Sequence, residues 1–386
     1  MPSIRTVALS GIGGYGEVYG KALLEEGESH GLTLTGCIDP YPASCSYLGE
    51  LRARHIPVYA SLDAFYREQA ADLLCISAPI HLHAEQTCQA LAHGSHVLCE
   101  KPLCATLAEA GSMEEARRAA GREVAIGFQF AFNPAILALR EAIWRGTYGA
   151  PRLFKAMSLP PRDSAYYRRG WAGRVQVGGH IVCDSVANNA CAHYLHLLFF
   201  LASPPGHPAQ PLAHQTEPYR ANAIETFDTI TARIQTDSGV PLYFAASHAV
   251  DRTRLPGFVL ELENARITCR LVERTLLVET PGRTFEERLA PDPLERDKIW
   301  AVAESLRRGE PPACGLPDAL AHTRYIHDIQ RSCAVTPFAP ALLTQIPSRT
   351  PGETITCARG LFAAMETAYD AARLLSETGY LSAARR

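Results

Sequence analysis

Short apolar runs alternate with longer stretches of helical period through the first third of the chain. Ile4–Leu9, Leu32–Ile38, Asp72–Ser77, His96–Cys99 and Val124–Phe128 are predominantly apolar and read as strands. Helical patterns over Gly14–Leu24, His81–His93 and Leu107–Ala120 separate them. Strands this apolar must be covered on both faces, so the pattern predicts a parallel sheet between layers of helix. Right-handed crossovers then give a doubly wound α/β domain, with its ligand crevice at the carboxyl ends of the strands.

The texture changes after Asn133-Pro134. One helix, Ala135–Arg145, leads into a strand over Arg152–Ser158 and a polar, aromatic loop over Pro160–Gly179. A long helix is predicted for His180–Leu201. Ser203–Pro218 holds five prolines and reads as an irregular surface connection. From Phe227 to about Leu289, runs of alternating polarity separated by turns predict a mostly antiparallel meander with one face covered. Helical patterns resume at Asp297–Arg308, Asp318–Cys333 and Thr354–Ser376. The expected organisation is a doubly wound α/β domain over 1–130 and a second domain of α+β type over 131–386. The second domain carries a large, open, mostly antiparallel sheet, and the C-terminal helix has the option of packing back on the first domain.

Composition narrows the function classes. The 386 residues carry 37 basic and 40 acidic side chains, a formal charge of -3, without the basic footprint of a nucleic-acid binder. The longest strongly apolar run, Leu197–Ala202, falls far short of a membrane span of ~20 residues. No leader-like segment precedes the first strand, so the expected location is cytoplasmic. None of the 12 cysteines forms a C-x-x-C pair, and several sit in apolar runs, which predicts buried reduced thiols and no metal site.

Gly11-Ile-Gly13-Gly14-Tyr15-Gly16 follows the first strand and opens a helix. The first glycine permits a tight turn, the second lets backbone approach a pyrophosphate, and the third lets helix and strand pack closely. Tyr15 either covers the pyrophosphate or packs locally. Asp39 ends the second strand, 39 minus 16 or 23 residues past the last glycine. A carboxylate there accepts hydrogen bonds from both hydroxyls of an adenosine ribose and repels a 2′-phosphate, which favours NAD over NADP, with NADP still possible.

Three further stretches carry a family resemblance. Ser77-Ala78-Pro79-Ile-His-Leu-His83 ends a strand and starts a helix, Glu100-Lys101-Pro102 ends the next strand, and Gly127-Phe-Gln129 with Asn133-Pro134 ends the one after. Together with the glycine loop they resemble the Gfo/Idh/MocA oxidoreductases, which include glucose–fructose oxidoreductase and inositol dehydrogenase. Specific motifs carry the resemblance over residues 1 to about 200, and beyond that it is architectural. It implies a Rossmann domain and an NAD(P)-dependent oxidoreductase acting on a sugar, cyclitol or related polyol. It assigns Lys101 a place beside the nicotinamide and the reacting carbinol, reached through a cis peptide before Pro102. It also places backbone of Ser77–Pro79 and side chains of His83, Glu100 and Gln129 along the nicotinamide half, and implies a homodimer or homotetramer.

The chain departs from the family pattern at its second cluster. Three glycines, an aspartate and a histidine at four-residue spacing are usual there; here Gly178-Gly179-His180 precedes Asp184, with Asn188 at the histidine position. Helical spacing would put His180, Asp184 and Asn188 on one face, with Cys191 near the same stripe. An asparagine amide cannot take a proton near neutral pH, so acid–base work falls on Lys101, on His180, or on Asp184 through water. The favoured assignment has Lys101 polarising the reacting oxygen and His180 carrying the proton, because histidine titrates near neutrality unaided. The loop over Arg162–Arg174, with Tyr166, Tyr167, Arg168 and Trp171, has the residue mix of a sugar site and equally that of a subunit contact. His193 and His248 are further substrate-side candidates. Two other functions stay open on this fold: a redox-recycled eliminase or glycosidase holding NAD tightly, and a non-catalytic, nucleotide-dependent regulator.

Overall fold

The computed structural model describes residues 4–288 and 295–383. The chain divides into two compact units, Met1–Asn133 with Pro293–Thr323, and Pro134–Asp292 with Arg324–Arg386.

The first unit holds β1 (Thr6–Ser10), α1 (Gly16–Glu26), β2 (Thr33–Ile38), α2 (Leu48–Ala53), β3 (Val58–Tyr59), α3 (Leu62–Glu68), β4 (Leu73–Ile76), α4 (His83–Ala92), β5 (His96–Cys99), α5 (Leu107–Ala120) and β6 (Val124–Ile126). All six strands are parallel, in the order β3-β2-β1-β4-β5-β6. The order reverses between β1 and β4, which opens a crevice at their carboxyl ends. Every residue of β4 is buried, as a strand covered on both faces requires. β3 escapes the apolar pattern because it is two residues long and neither is fully buried. Thr106 opens α5 with a reciprocal capping box to Glu109, and Gly121 closes it in the left-handed region.

The division differs from a single cut near residue 130, because residues 293–323 return to the first unit. Their helix buries Ile299, Val302, Ala303 and Leu306 along one stripe, and Arg307 donates to the carbonyls of Ile4 and His30. The Ile126 amide donates to Cys314 O at 2.9 Å, so the returning segment also covers the open edge of β6.

The second unit opens with α6 (Pro134–Trp144), β7 (Pro151–Leu159), the single turn α7 (Ser164–Tyr167), the hairpin β8 (Gln176–Val177) and β9 (His180–Ile181), and α8 (Ala192–Leu201). Its main sheet adds β10 (Pro211–Arg220), β11 (Thr229–Thr236), β12 (Pro241–Ser247), β13 (Arg254–Leu262), β14 (Arg266–Arg270), β15 (Thr275–Thr280) and β16 (Arg283–Arg288). After the returning helix α9 (Asp297–Arg308) and α10 (Leu316–Ser332) come β17 (Thr336–Pro337), the hairpin β18 (Leu343–Pro347) and β19 (Thr354–Ala358), α11 (Leu361–Asp370) and α12 (Tyr380–Ala383). The nine-stranded sheet runs β16-β15-β14-β13-β7-β12-β11-β10-β17 and is antiparallel except at β7–β12 and β10–β17.

Three expectations are corrected here. The proline-rich stretch is not wholly irregular: β10 is a ten-residue strand whose other neighbour pairs only with Tyr219 and Arg220, so most of it is an edge where proline costs no ladder bond. The helix expected over His180–Leu201 begins only at Ala192. Gly178 and Gly179 take positive φ of 58° and 85°, they form a hairpin turn, and Cys183 follows at 48°. The helical pattern over Thr354–Ser376 starts with a strand, and its helix spans only Leu361–Asp370, because Gly360 at φ 75° breaks the two apart. The meander end expected at Leu289 lies outside the described residues.

None of the twelve cysteines is joined in a disulfide, and ten of them are buried. No helix among the described residues is long and apolar enough to cross a membrane, and none of their His, Cys, Asp and Glu side chains cluster as a metal site would need.

Candidate active site

In the first unit, the glycine loop sits against the turn that follows β4. Gly11 has φ 79°, and a Cβ there would lie 2.8 Å from the Ser77 carbonyl carbon and 2.9 Å from the Ala78 nitrogen. Only glycine allows that approach. Gly14, at φ 55°, faces open space, and no side chain caps α1. Asp39 is tied to this loop: one carboxylate oxygen accepts from the Ile12 amide at 3.1 Å, the other from the Tyr41 amide at 2.8 Å. The acidic group is thereby held beside the loop at the end of β2, and each oxygen keeps a lone pair for a ribose hydroxyl. These features fit an adenine dinucleotide, with the open cradle at Gly14 for pyrophosphate and Asp39 for the ribose.

His83 pins two of the motif turns together. Its Nδ1 lies 2.9 Å from Pro102 O and its Nε2 3.0 Å from Ala78 O, and the ring is buried, with burial pushing its pKa below the ordinary value. Each ring nitrogen faces a backbone carbonyl, and the neutral ring donates to one of the two, so the residue shapes the site from beneath. The peptide between Lys101 and Pro102 is cis, and Lys101 is half-buried at the end of β5. Gln129 opens a 3₁₀ turn directly after β6 and is also half-buried.

Glu100 is buried and faces a cation that sequence reading missed. Its carboxylate accepts from the Tyr19 hydroxyl and forms an ion pair with Lys298 of α9. The Lys298 ammonium also donates to Gly127 O at 3.0 Å and to the Tyr15 hydroxyl at 2.9 Å, so each of its protons has an acceptor. Tyr15 thus packs locally, edge-on to Tyr19 with centroids 5.6 Å apart, and burial raises its phenol well above the usual tyrosine value. Nothing in the local pattern marks Lys298, which is 198 residues from Glu100. Its only signal is a lysine beside the apolar stripe of an amphipathic helix.

In the second unit, Asp184 is buried and held from two sides. Gly173 N donates to Oδ2 at 2.7 Å, and Asn189 Nδ2 donates to Oδ1 at 2.8 Å. Asn189 also reaches the Tyr166 hydroxyl at 3.4 Å. Because the predicted helix is absent, His180, Asp184, Asn188 and Cys191 do not share one helical face. His180 is exposed on β9, and Asn188 is buried with its amide donating to Cys183 O at 3.2 Å. The side chain that orients Asp184 is Asn189, one residue from the position the spacing marked.

Around Asp184 lies a group of buried polar atoms. His248 Nδ1 donates to Pro160 O at 2.8 Å, which leaves Nε2 as an acceptor. His248 Nε2, Tyr167 Oη and Arg162 Nε are buried with no hydrogen-bond partner among the described residues. Unpaired buried groups of this kind point to a bound molecule or ordered water. Burial first, then the nearby Arg162 and Arg169, push the His248 pKa down to about 3, so the ring is neutral. Burial first, and then the facing Asp228 and Asp184, raise the Tyr167 phenol above its ordinary value. Arg168 is instead committed to Glu353, and Trp171 is partly exposed beneath Arg169, 4.4 Å from its guanidinium. His193 lies half-buried in the first turn of α8.

Residues 5–128 match the Gfo/Idh/MocA model, described as an oxidoreductase family with an NAD-binding Rossmann fold. The 1,5-anhydro-D-fructose reductase of Ensifer adhaerens is 35% identical over 134 residues, 34% of this chain and 39% of that protein. An inositol 2-dehydrogenase of Rubrobacter xylanophilus is 30% identical over 128 residues, 33% of each. The chain thus matches between a third and two fifths of the length of these relatives. Over most of its length it shares a fold with the UDP-N-acetylglucosamine 3-dehydrogenase of Acidithiobacillus ferrooxidans: TM-score 0.70, 20% identity, 86% of this chain and 98% of that one.

Proposed function

We propose that the protein, whose residues 5–128 match the Gfo/Idh/MocA NAD-binding model, is an NAD-dependent oxidoreductase. It moves a hydride between a secondary carbinol of a sugar, cyclitol or related polyol and nicotinamide. The observation that carries this reading is Asp39, tied by the Ile12 amide to a glycine loop whose Gly11 tolerates no Cβ. A bound nicotinamide supplies the hydride acceptor or donor.

The chain's own residues do the rest. Lys101 polarises the reacting oxygen with its ammonium. Asp184, fixed by Gly173 and Asn189, orients the acid–base end of the site. Neutral His248 offers Nε2 to a substrate hydroxyl, and Tyr167 offers its phenol. His180, on an exposed hairpin, is the group that relays the proton to solvent. The large open sheet of the second unit is the surface through which a homodimer or homotetramer would form.

The test is a panel of cyclitols, aldoses, sugar acids and anhydrosugars offered with NAD or NADP, read by near-UV absorbance of reduced nicotinamide. Turnover with NAD that vanishes in Lys101→Ala is the expected result. Silence across the panel with cofactor bound would overturn it in favour of redox recycling or regulation.

A further inference from the structure

A groove of about 850 Å³ runs beside α7 in the second unit, lined by α7 and its flanks, the turn after β12 and the tip of the β18–β19 hairpin. Four of its lining residues are arginines: Arg162, Arg169, Arg252 and Arg349. Two are acids, Asp163 and Asp251. Asp163 is already engaged, accepting from the Ser348 hydroxyl at 2.8 Å and from the Tyr166 amide that it caps at 3.2 Å. Asp251 lies 3.9 Å from Arg252, a loose contact between exposed groups. The balance of four guanidiniums against two carboxylates leaves the groove positive.

The arginines are also pre-positioned. Arg169 lies 3.8 Å over the Tyr166 ring and 4.4 Å over Trp171, and Arg252 lies 4.0 Å over Phe362, so aromatic faces hold two of the forks in place. Arg349 has no ion-pair partner among the described residues, and Arg162 Nε is buried with no hydrogen-bond partner among them. A buried guanidinium N–H without an acceptor is costly unless a ligand supplies one. Tyr166 links this groove to the site above, since it lines the groove and its hydroxyl accepts from the same Asn189 amide that orients Asp184.

We propose that this groove binds the phosphate or pyrophosphate group of the substrate, making the substrate a phosphorylated or diphosphate-linked sugar. The assignment rests on the reading of Asp184 as part of the acid–base end of the site. Planar guanidiniums match phosphate oxygens in bidentate fashion, and an excess positive charge over several forks suits a multivalent anion better than a single carboxylate. The volume is that of a pocket for a ligand well beyond one small ring.

The experiment is calorimetric titration of the full chain with inorganic pyrophosphate, at low and moderate salt, beside a separate titration with NADH. Arg252→Gln/Arg349→Gln removes two exposed charges. It is expected to weaken pyrophosphate at least tenfold and leave NADH unmoved, while Asp251→Asn tightens pyrophosphate severalfold. Pyrophosphate affinity unchanged within twofold in the arginine variant overturns the proposal, as does tighter binding of malonate than of pyrophosphate. Loss of NADH binding counts against the cofactor reading alone, since the arginine comparison does not depend on it.

Discussion

Lys298 and Glu100 form a fully buried ion pair that joins the strand end carrying Glu100-Lys101-Pro102 to a helix almost two hundred residues later. Both side chains are nearly inaccessible, at 1% and 6% exposure, and the pair is completed by Tyr15, Tyr19 and Gly127. A buried pair is weak evidence for stability in itself, but breaking one member leaves an uncompensated charge.

Lys298→Met is therefore expected to destabilise the fold by roughly 3–5 kcal/mol, and the double variant with Glu100→Gln by much less. Urea midpoints of the two singles and the double, combined as a mutant cycle, measure this. Additive effects would show that the pair does not act as a unit.

Gly127→Ala tests the same network from the other side. A Cβ at Gly127 would lie 2.6 Å from Glu100 Oε1, and the carboxylate is held too firmly to give way. A loss of about 1–3 kcal/mol is expected from such overpacking. A variant as stable as the parent would mean that Glu100 has room to move.

Asp39→Ser should shift cofactor preference. Removing a carboxylate that bonds ribose hydroxyls costs about 1.5–3 kcal/mol of NAD affinity, roughly ten- to a hundredfold, and relieves repulsion of a 2′-phosphate. Fluorescence titrations with NADH and NADPH read both changes. An unaltered NADH to NADPH ratio would remove Asp39 from the discrimination.

His248 gives stability a pH dependence. Its folded pKa, about 3, lies below the ordinary 6.5, so the unfolded chain binds the proton more readily. Its contribution is complete above pH 6.5 and drains away as pH falls toward 3, by about 1.4 kcal/mol for each pH unit crossed in that interval. His248→Asn should flatten the urea midpoint between pH 6.5 and 4 relative to the parent. Equal slopes in parent and variant would show that another group controls this window.

Much of the first unit was legible because its signals are local. Apolar strands buried on both faces look alike wherever they occur, and the glycines at 11, 14 and 16 stand at positive φ or where a Cβ would meet the loop's own backbone. Asp39 was legible for the same reason, since strand length sets its distance from the loop. In the second unit, the spacing of His180, Asp184 and Asn188 mimics a helix, yet two glycines in positive φ turn the chain into a hairpin first. Backbone conformation overrode side-chain periodicity there, and Asn189 took the orienting position.

Local pattern was enough for the Rossmann unit, its glycine loop and acidic partner, and the mostly antiparallel sheet that follows, because each depends on neighbours within a strand, a turn or a helix. Folding of the whole chain was needed to return α9 to the first unit, to set Lys298 against Glu100, and to gather the arginines at 162, 169, 252 and 349 in one groove. Those meetings span tens to hundreds of residues. They follow from which apolar stripe finds which open edge, a choice made by packing across the chain that no short stretch of residues records.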